Sequence, residues 1–499
     1  MRDNSRNQDF AGHWVSVIGL TFITFLCASV VLGGTYYVSN YGSNGNSGLS
    51  PGAAWKTIQY GLDHVYAGDT LFIMANTGDY TGCGSNVGVA VRHSGHHGNF
   101  LVIKGYGGIP VINGQRNRCP SGDRSYGIAV HELEYIIIDS VMVKNIGQTS
   151  PSSCYEAAGF WINFSEHIIL KDCVACSVTS CCRNGNCEIG SGIGIQDSRY
   201  CIVKRCKAFS ITAWQLYGHF SDSTKGGGIY CYSNRYNTDQ RLHWNLIDSC
   251  ECWDNGEGIT LSKHREYASH NTASHNICHD NYIGYSGMSD SCTFKYNVAY
   301  DNQMGIWIRP GYYGPVYGDS IYNNTVVNSR EFDISWETGS SYVGDMFTVF
   351  NNICASNNGG SGLDCNQIVR TYGGSRNHLY IDYNCYYDSH SNYVVYDLGS
   401  YTLEGWVAKA LGLEWVHGKD QHSLNVSPMF VDEAHHDYRL ASGSPCIGTG
   451  KGGVDMGAYP GQGVAVRRGD IDRIIREHKE GTATEEEVKT YIRRYWTGE

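Results

Sequence analysis

The chain has 499 residues, 62 of them Gly and 37 Tyr but only 9 Pro, with 17% charged residues and a formal net charge of −11. That length admits two or three average domains or one elongated fold, while the Gly and Tyr content argues for tight turns and aromatic strands and against a helical protein. The negative charge, with no basic patch in the body, excludes nucleic acid as a partner, and an acidic polysaccharide would need local cations or bound Ca²⁺ to approach.

The first element is the uncharged run WVSVIGLTFITFLCASVVL at 14–32, preceded by Arg2 and Arg6. This layout is that of a secretory signal cut near Gly33 or Gly34, or of an uncleaved membrane anchor, and it places the chain outside the cell or on its surface. Twenty cysteines suit an oxidising compartment. Cys27 falls in the signal and leaves an odd number, so at least one thiol is expected to be free or intermolecular. The dense run Cys173, Cys176, Cys181, Cys182 and Cys187 reads as a disulfide-stapled loop, because a zinc site would need a clean pair of CxxC elements.

From residue 135 onward the chain repeats one design: YIIIDSVMVKN, HIILKDCVACS, YCIVKRCKAFS, HWNLIDSCECWDN, TASHNICHDN, CTFKYNVAYDN, SIYNNTVVNS, TVFNNICASNN and YIDYNCYYDS. Each is a short alternating strand, a polar hinge and a second short strand. The hinge column reads Ser140, Asp172, Arg205, Ser249, Asn276, Asn297, Asn324, Asn352 and Asn384. Amides stacked at one turn hydrogen-bond along the stack, so an Asn ladder is expected there, and Asn324→Leu should cost about 1 to 3 kcal/mol. The following position (Val141, Cys173, Cys206, Cys250, Ile277, Val298, Thr325, Ile353, Cys385) is expected to point inward. A Gly-led column precedes the hinges: GIAV at 127, GFWI at 159, GIGI at 192, GIYC at 228, GITL at 258 and GIWI at 305. Three short sides per coil, each about 4.8 Å thick, make a right-handed parallel β-helix. Cys173, Cys206 and Cys250 should then share one inward column.

Within this array the stretch GEGITLSKHREYASHNTASHNICHDN at 256–281 holds His270, His275 and His279 at near-helical intervals, but on a β-helix these fall on different sides of the coil and form no shared metal site. Lys263, His264 and Arg265 are different, because they follow the GITL strand where the coil leaves its sheet. The tail at 464–499 carries GDIDRIIREHKEG and TATEEEVKTYIRRYWTG, two short helices with Thr484 and Glu487 as a capping box. It is expected to cap the last coil or to dock onto a partner.

The N-terminal segment TYYVSNYGSNGNSGLSPGAAWKTIQYGLDHVYAGDTLFI (35–73), the repeats and the closing segment SPMFVDEAHHDYRLASGSPCIGTGKGGVDMGAYP (427–460) together resemble the exported right-handed parallel β-helix repeat proteins, the superfamily of pectate, alginate and chondroitin lyases. The resemblance implies an all-β solenoid with a short N-terminal capping helix and a small helical tail. Residues 1–34 would be the signal or anchor, 35–460 the β-helix, and 461–499 the cap or docking tail. The paired-aspartate calcium motif of the family-nine pectate lyases has no counterpart here, so no metal ligand is assigned and Ca²⁺ stays an open option.

The fold class hosts lyases, hydrolases and binders, so function must come from side chains. Trp161, Tyr230, Thr260, Ser286 and Trp307 should line the outward face of one sheet, beside Tyr232, His264 and the cations, as a groove in which rings stack on sugars. In a lyase, Lys263 or Arg265 would remove the proton beside a uronate carboxylate that Arg309 or Ca²⁺ neutralises, with Glu337 at the corresponding strand exit of a neighbouring coil. A hydrolase would instead need a carboxylate pair from Asp197, Asp222, Glu257, Asp333 and Glu337. A non-catalytic surface or matrix protein would bind glycan along the same groove.

Overall fold

A computed structural model describes residues 33–81, 87–115, 125–147, 157–182, 190–215, 226–233, 242–262, 268–308, 316–337, 346–356, 366–371, 379–397, 399–414 and 416–459. They belong to one compact unit that begins at Gly33. The expected signal or anchor and the expected two-helix tail lie outside the described residues. Among those described, no helix is long and apolar enough to cross a membrane.

The strands stack into three long sheets, called here I, II and III, of 13, 11 and 12 strands. One coil runs Glu134–Asp139 in sheet I, Met142–Lys144 in sheet II and Ala157–Asn163 in sheet III, and Glu166–Lys171 then returns to sheet I beside the first. Pairing between coils is parallel and in register, as in Asp139 with Lys171 and Met142 with Val174. The architecture is a right-handed parallel β-helix. Each strand is short and alternates, so its inward side chains meet those of the other two sheets and form one continuous core.

The corner from sheet I to sheet II is turned by a single left-handed residue: Ser140, Asp172, Arg205, Ser249, His275, Tyr296, Asn323, Asn351 and Tyr383. The next position in each coil is buried: Val141, Cys173, Cys206, Cys250, Asn276, Asn297, Asn324, Asn352 and Asn384. The hinge column read from the sequence therefore slips by one between Ser249 and Asn276. The asparagines continue the inward cysteine column, and the left-handed hinge before them is a His, a Tyr or an Asn.

The Asn ladder itself is present. Asn276 donates from its backbone and from Nδ2 to Asn297 Oδ1 (both 3.0 Å), and Asn297 does the same to Asn324 (both 3.1 Å). Asn324 repeats the pattern to Asn352 (both 3.0 Å), and Asn352 to Asn384 (3.0 and 3.1 Å). Shorter ladders occupy the other corners, Asn255 with Asn281 and Asn302, and Asn245 with Asn271. In the earlier coils cysteine fills the same slot, where Cys206 N–H reaches Cys250 Sγ at 3.4 Å. Cys173, Cys206 and Cys250 share the column as expected, as buried free thiols. Cys173 and Cys176 are not half-cystines, which corrects the stapled-loop expectation for those two; Cys187 lies outside the described residues.

Ile277, Val298, Thr325, Ile353 and Cys385 do not point inward. They are the first outward positions of sheet II, paired in register. Val298, Ile353 and Cys385 are buried because the closing segment folds back over them: Tyr438, Leu440, Cys446, Met456 and Ala458 form a second core with this face. His436 stacks on Tyr300 at 4.4 Å, and Asn323 Nδ2 holds the Asp455 carbonyl at 2.9 Å.

Glycine leads the sheet III strands from Gly127 to Gly305 for a spatial reason. A Cβ at Gly192 would lie 3.0 Å from Ala208 Cβ, and one at Gly258 2.8 Å from Cys278 Sγ, so the sheet III backbone presses onto the facing wall. At one end the helix α1 (Ile58–Leu62), capped by Thr57, packs Ile58 and Leu62 into the first coil. Near the other end a helix not foreseen from the sequence, α2 (Leu403–Leu411), buries Trp406, whose Nε1 donates to the buried Asp420 at 2.8 Å.

Candidate functional site

Sheet III is where the sequence places its chemistry, and the register there is Ala129, Trp161, Gly194, Tyr230, Thr260, Ser286, Trp307 and Ser335 down one column. These side chains alternate with the inward column Ile128, Phe160, Ile193, Ile229, Ile259 and Tyr285, so they face out of the coil. A second outward column, two residues further on, runs His131, Asn163, Gln196 and Tyr232.

Facing outward has not left them open. Trp161 is 7% exposed, Tyr230 6% and Tyr232 3%, while Trp307 is half-buried. The expectation of a freely accessible platform at Trp161, Tyr230 and Tyr232 is corrected accordingly. Trp161 stacks on Tyr126 at 4.2 Å with planes 7° apart, and on His131 at 5.6 Å. Its Nε1 and the Tyr232 hydroxyl both donate to Gln196 Oε1 at 3.2 Å. Asn163 Nδ2 lies 3.2 Å from His131 Nδ1. Gln196 thus ties two aromatic residues from neighbouring coils into one rigid cluster. Tyr126 was not foreseen; its place directly before the Gly127 strand was the available signal.

Above this cluster the column turns small and polar. Thr260 and Ser286 are wholly buried on the outward side, and Thr260 Oγ1 donates to Glu257 Oε2 at 2.5 Å. Lys263, His264, Arg265 and Arg309 lie outside the described residues, as does Asp222. Glu337 ends the strand Phe332–Glu337 in sheet III, paired with Thr371, and its side chain is likewise outside the description. The strand Glu257–Ser262 immediately precedes Lys263 and pairs with Ile283–Met288. Asp197, at a left-handed turn after Gln196, is 1% exposed.

Asp333 is removed from the hydrolase candidates. Its position pairs with Gly305 in the glycine column, so its carboxyl points into the barrel, where burial pushes it well above the usual carboxylate range. Of the three histidines, His270 and His275 flank one sheet I strand, Thr272–Ser274, and His279 lies on another side of the coil. His270 stacks on Trp244, His275 pairs with Asp248 at 3.2 Å, and His279 lies between Glu251 and Asp280 on sheet II. No group of three or more His, Cys, Asp or Glu among the described residues is arranged to hold a metal ion.

No family model and no curated protein matches the chain. Solved structures do. A rhamnogalacturonan lyase aligns with a TM-score of 0.52 at 16% identity, covering 67% of this chain and 84% of its own. The pectate lyase Pel9A aligns with a TM-score of 0.50 at 14% identity, covering 87% of this chain and 98% of its own. At such identities the likeness is one of fold: the chain has the parallel β-helix of the pectate lyase-like proteins.

Proposed function

We propose that this protein is an extracellular polysaccharide-active protein, a lyase that cleaves an acidic polysaccharide by β-elimination at the outer face of sheet III. The observation that carries the reading is the rigid Trp161–Gln196–Tyr232 cluster, set in register on the sheet whose strand Glu257–Ser262 runs straight into Lys263. A polymer lying along that sheet would meet the half-buried Trp307 and the residues that follow the strand ends, Lys263 among them. The folds of the rhamnogalacturonan and pectate lyases it resembles are consistent with such a substrate. Export is inferred from the apolar run at 14–32.

In the proposed reaction Lys263 or Arg265 takes the proton on the carbon beside the uronate carboxylate. The electron pair left behind forms a carbon–carbon double bond as the bond to the glycosidic oxygen breaks, and that oxygen takes up a proton from the protonated base or from water. Arg309 would offset the carboxylate charge so that the carbanionic transition state is tolerable. No step is assigned to Ca²⁺. A second reading is a non-catalytic glycan binder on the same face, in which the buried and mutually satisfied Trp161 and Tyr232 would support that face rather than touch the glycan.

Incubation of the protein with pectate, alginate and chondroitin, followed by ultraviolet absorbance, tests the proposal. An unsaturated uronate product is expected from at least one of them. Reducing ends released from a neutral glycan without that absorbance would replace the lyase by a hydrolase. Retained glycan binding with no product of either kind would leave the binder.

A further inference from the structure

A different face of the molecule carries a site that the sheet III chemistry does not use. On the outer side of sheet I lies an open trough of ≈ 420 Å³. Its floor is Leu246 and Thr272, paired in register on neighbouring coils. One wall is Trp244 and His270, both left-handed residues at the corner that enters sheet I, so the backbone throws their rings outward. The other wall is Asp248 and His275, with Lys204 and Lys295 at the two ends.

Trp244 is 55% exposed, an unusual state for so large an apolar ring. One of its faces stacks on His270 at 4.3 Å. Tyr200, the residue at the same corner one coil earlier, stacks on His167 instead, and among the described residues no ring covers the second face of the indole. Asp248 is already satisfied: it takes Ser274 Oγ at 2.9 Å, Lys204 Nζ at 3.1 Å and His275 Nδ1 at 3.2 Å. Burial alone would push this carboxyl up, yet these donors outweigh it and hold it well below the usual range. Lys295 has no carboxylate partner among the described residues. The trough is therefore locally cationic on a chain of net charge −11, with an exposed indole beside the cations.

We infer that this trough is a second, non-catalytic binding site for a short acidic saccharide, with the apolar face of one sugar ring on Trp244 and a uronate carboxylate on Lys295. Lys204, Asp248, Ser274 and Lys295 occupy one column on successive coils. Three coil steps span about 14 Å, enough for about three sugar rings lying along the β-helix axis. Because the site sits on sheet I, it would hold a polymer while another segment of that polymer reaches sheet III.

Calorimetric titration of the full chain with trimers of galacturonate, mannuronate and glucuronate, and with the methyl esters of the same trimers, tests the inference. At least one acidic trimer is expected to bind. Trp244→Ala, an exposed position whose variant should keep the wild-type circular dichroism, should weaken that binding at least about tenfold. Lys295→Ala should weaken the acidic trimer by a similar factor and leave its methyl ester unchanged. Failure of all three acidic trimers to bind the wild type overturns the inference. So does equal affinity for acid and ester, or wild-type affinity in both variants. An absence of unsaturated product in every sample would count against the lyase and leave the binding result standing.

Discussion

Replacing Asn324 by Leu is expected to destabilise the protein by about 4 kcal/mol, more than the sequence alone suggests, because the substitution strands several polar groups at once. Asn324 is 0% exposed. Its Oδ1 accepts from both the backbone N–H and Nδ2 of Asn297, and its Nδ2 donates to Phe294 O at 2.9 Å and Asn352 Oδ1 at 3.0 Å. Leucine offers none of these, and water cannot enter a site enclosed by coils on both sides. The fitting comparison is Cys250→Val in the same column. There the thiol makes only long, weak contacts, donating to Asp248 O at 3.4 Å and Val203 O at 3.5 Å and accepting from Cys206 N–H at 3.4 Å, so its loss should cost well under half as much. Denaturant midpoints of the two variants measure the difference. Equal shifts would show that the ladder contributes packing rather than hydrogen bonding.

The second large effect is an acid-shifted stability optimum. Asp333 and Asp420 are buried and raised, Asp333 well above the usual carboxylate range and Asp420 to about 6, in both cases chiefly by desolvation. A carboxyl whose folded pKa exceeds its unfolded one gives stability that is complete below the unfolded value, about 4, and is lost as pH rises through the folded value. His279 acts in the same direction at higher pH: burial lowers it, but Glu251 and Asp280 raise it further, so its contribution fades as pH climbs through and above its ordinary range. Glu251, held at about 2 by His279 and Lys207, and Asp248 work oppositely and lose their contribution only as pH falls below about 4. The melting temperature should therefore peak near pH 4 to 5 and decline toward pH 8. Asp333→Gly restores the residue that the column carries from Gly127 to Gly305 and removes one of the raised carboxyls. It should lift stability at pH 8 by about 1 to 3 kcal/mol while changing little at pH 4. A variant whose pH profile parallels the wild type would show that Asp333 is not the group responsible.

Much of the fold was legible in the chain because a β-helix repeats its chemistry once per coil. The alternating strands, the Gly-led sheet III segments and the asparagines from Asn276 to Asn384 each answer a demand of the backbone that recurs at every turn: close approach of two walls, or a buried N–H that needs an acceptor. The cysteine column was legible for the same reason, since a small apolar side chain fits the slot that later coils give to Asn. What recurs without chemical demand could not be aligned. The left-handed corner accepts Ser, Asp, Arg, His or Tyr, because only its backbone conformation matters there, and so the register slipped between Ser249 and Asn276.

Tertiary structure alone decided which outward residues are open. Trp161 and Trp244 both leave the coil, and nothing local distinguishes them. Tyr126 and His131 from one neighbouring coil and Gln196 from the other close over the first, while His270 supports only one face of the second. The burial of Val298, Ile353 and Cys385 likewise comes from a segment more than a full coil away in sequence that folds back along sheet II. Lys204, Trp244 and Lys295 become one trough only when separate coils stack, each carrying one part of it. The sequence by itself determined the periodic solenoid and its internal ladders, since these are contacts of each coil with its neighbour. Solvent access and the meeting of side chains from several coils depend on distances the chain does not encode locally, and those only the assembled coils could set.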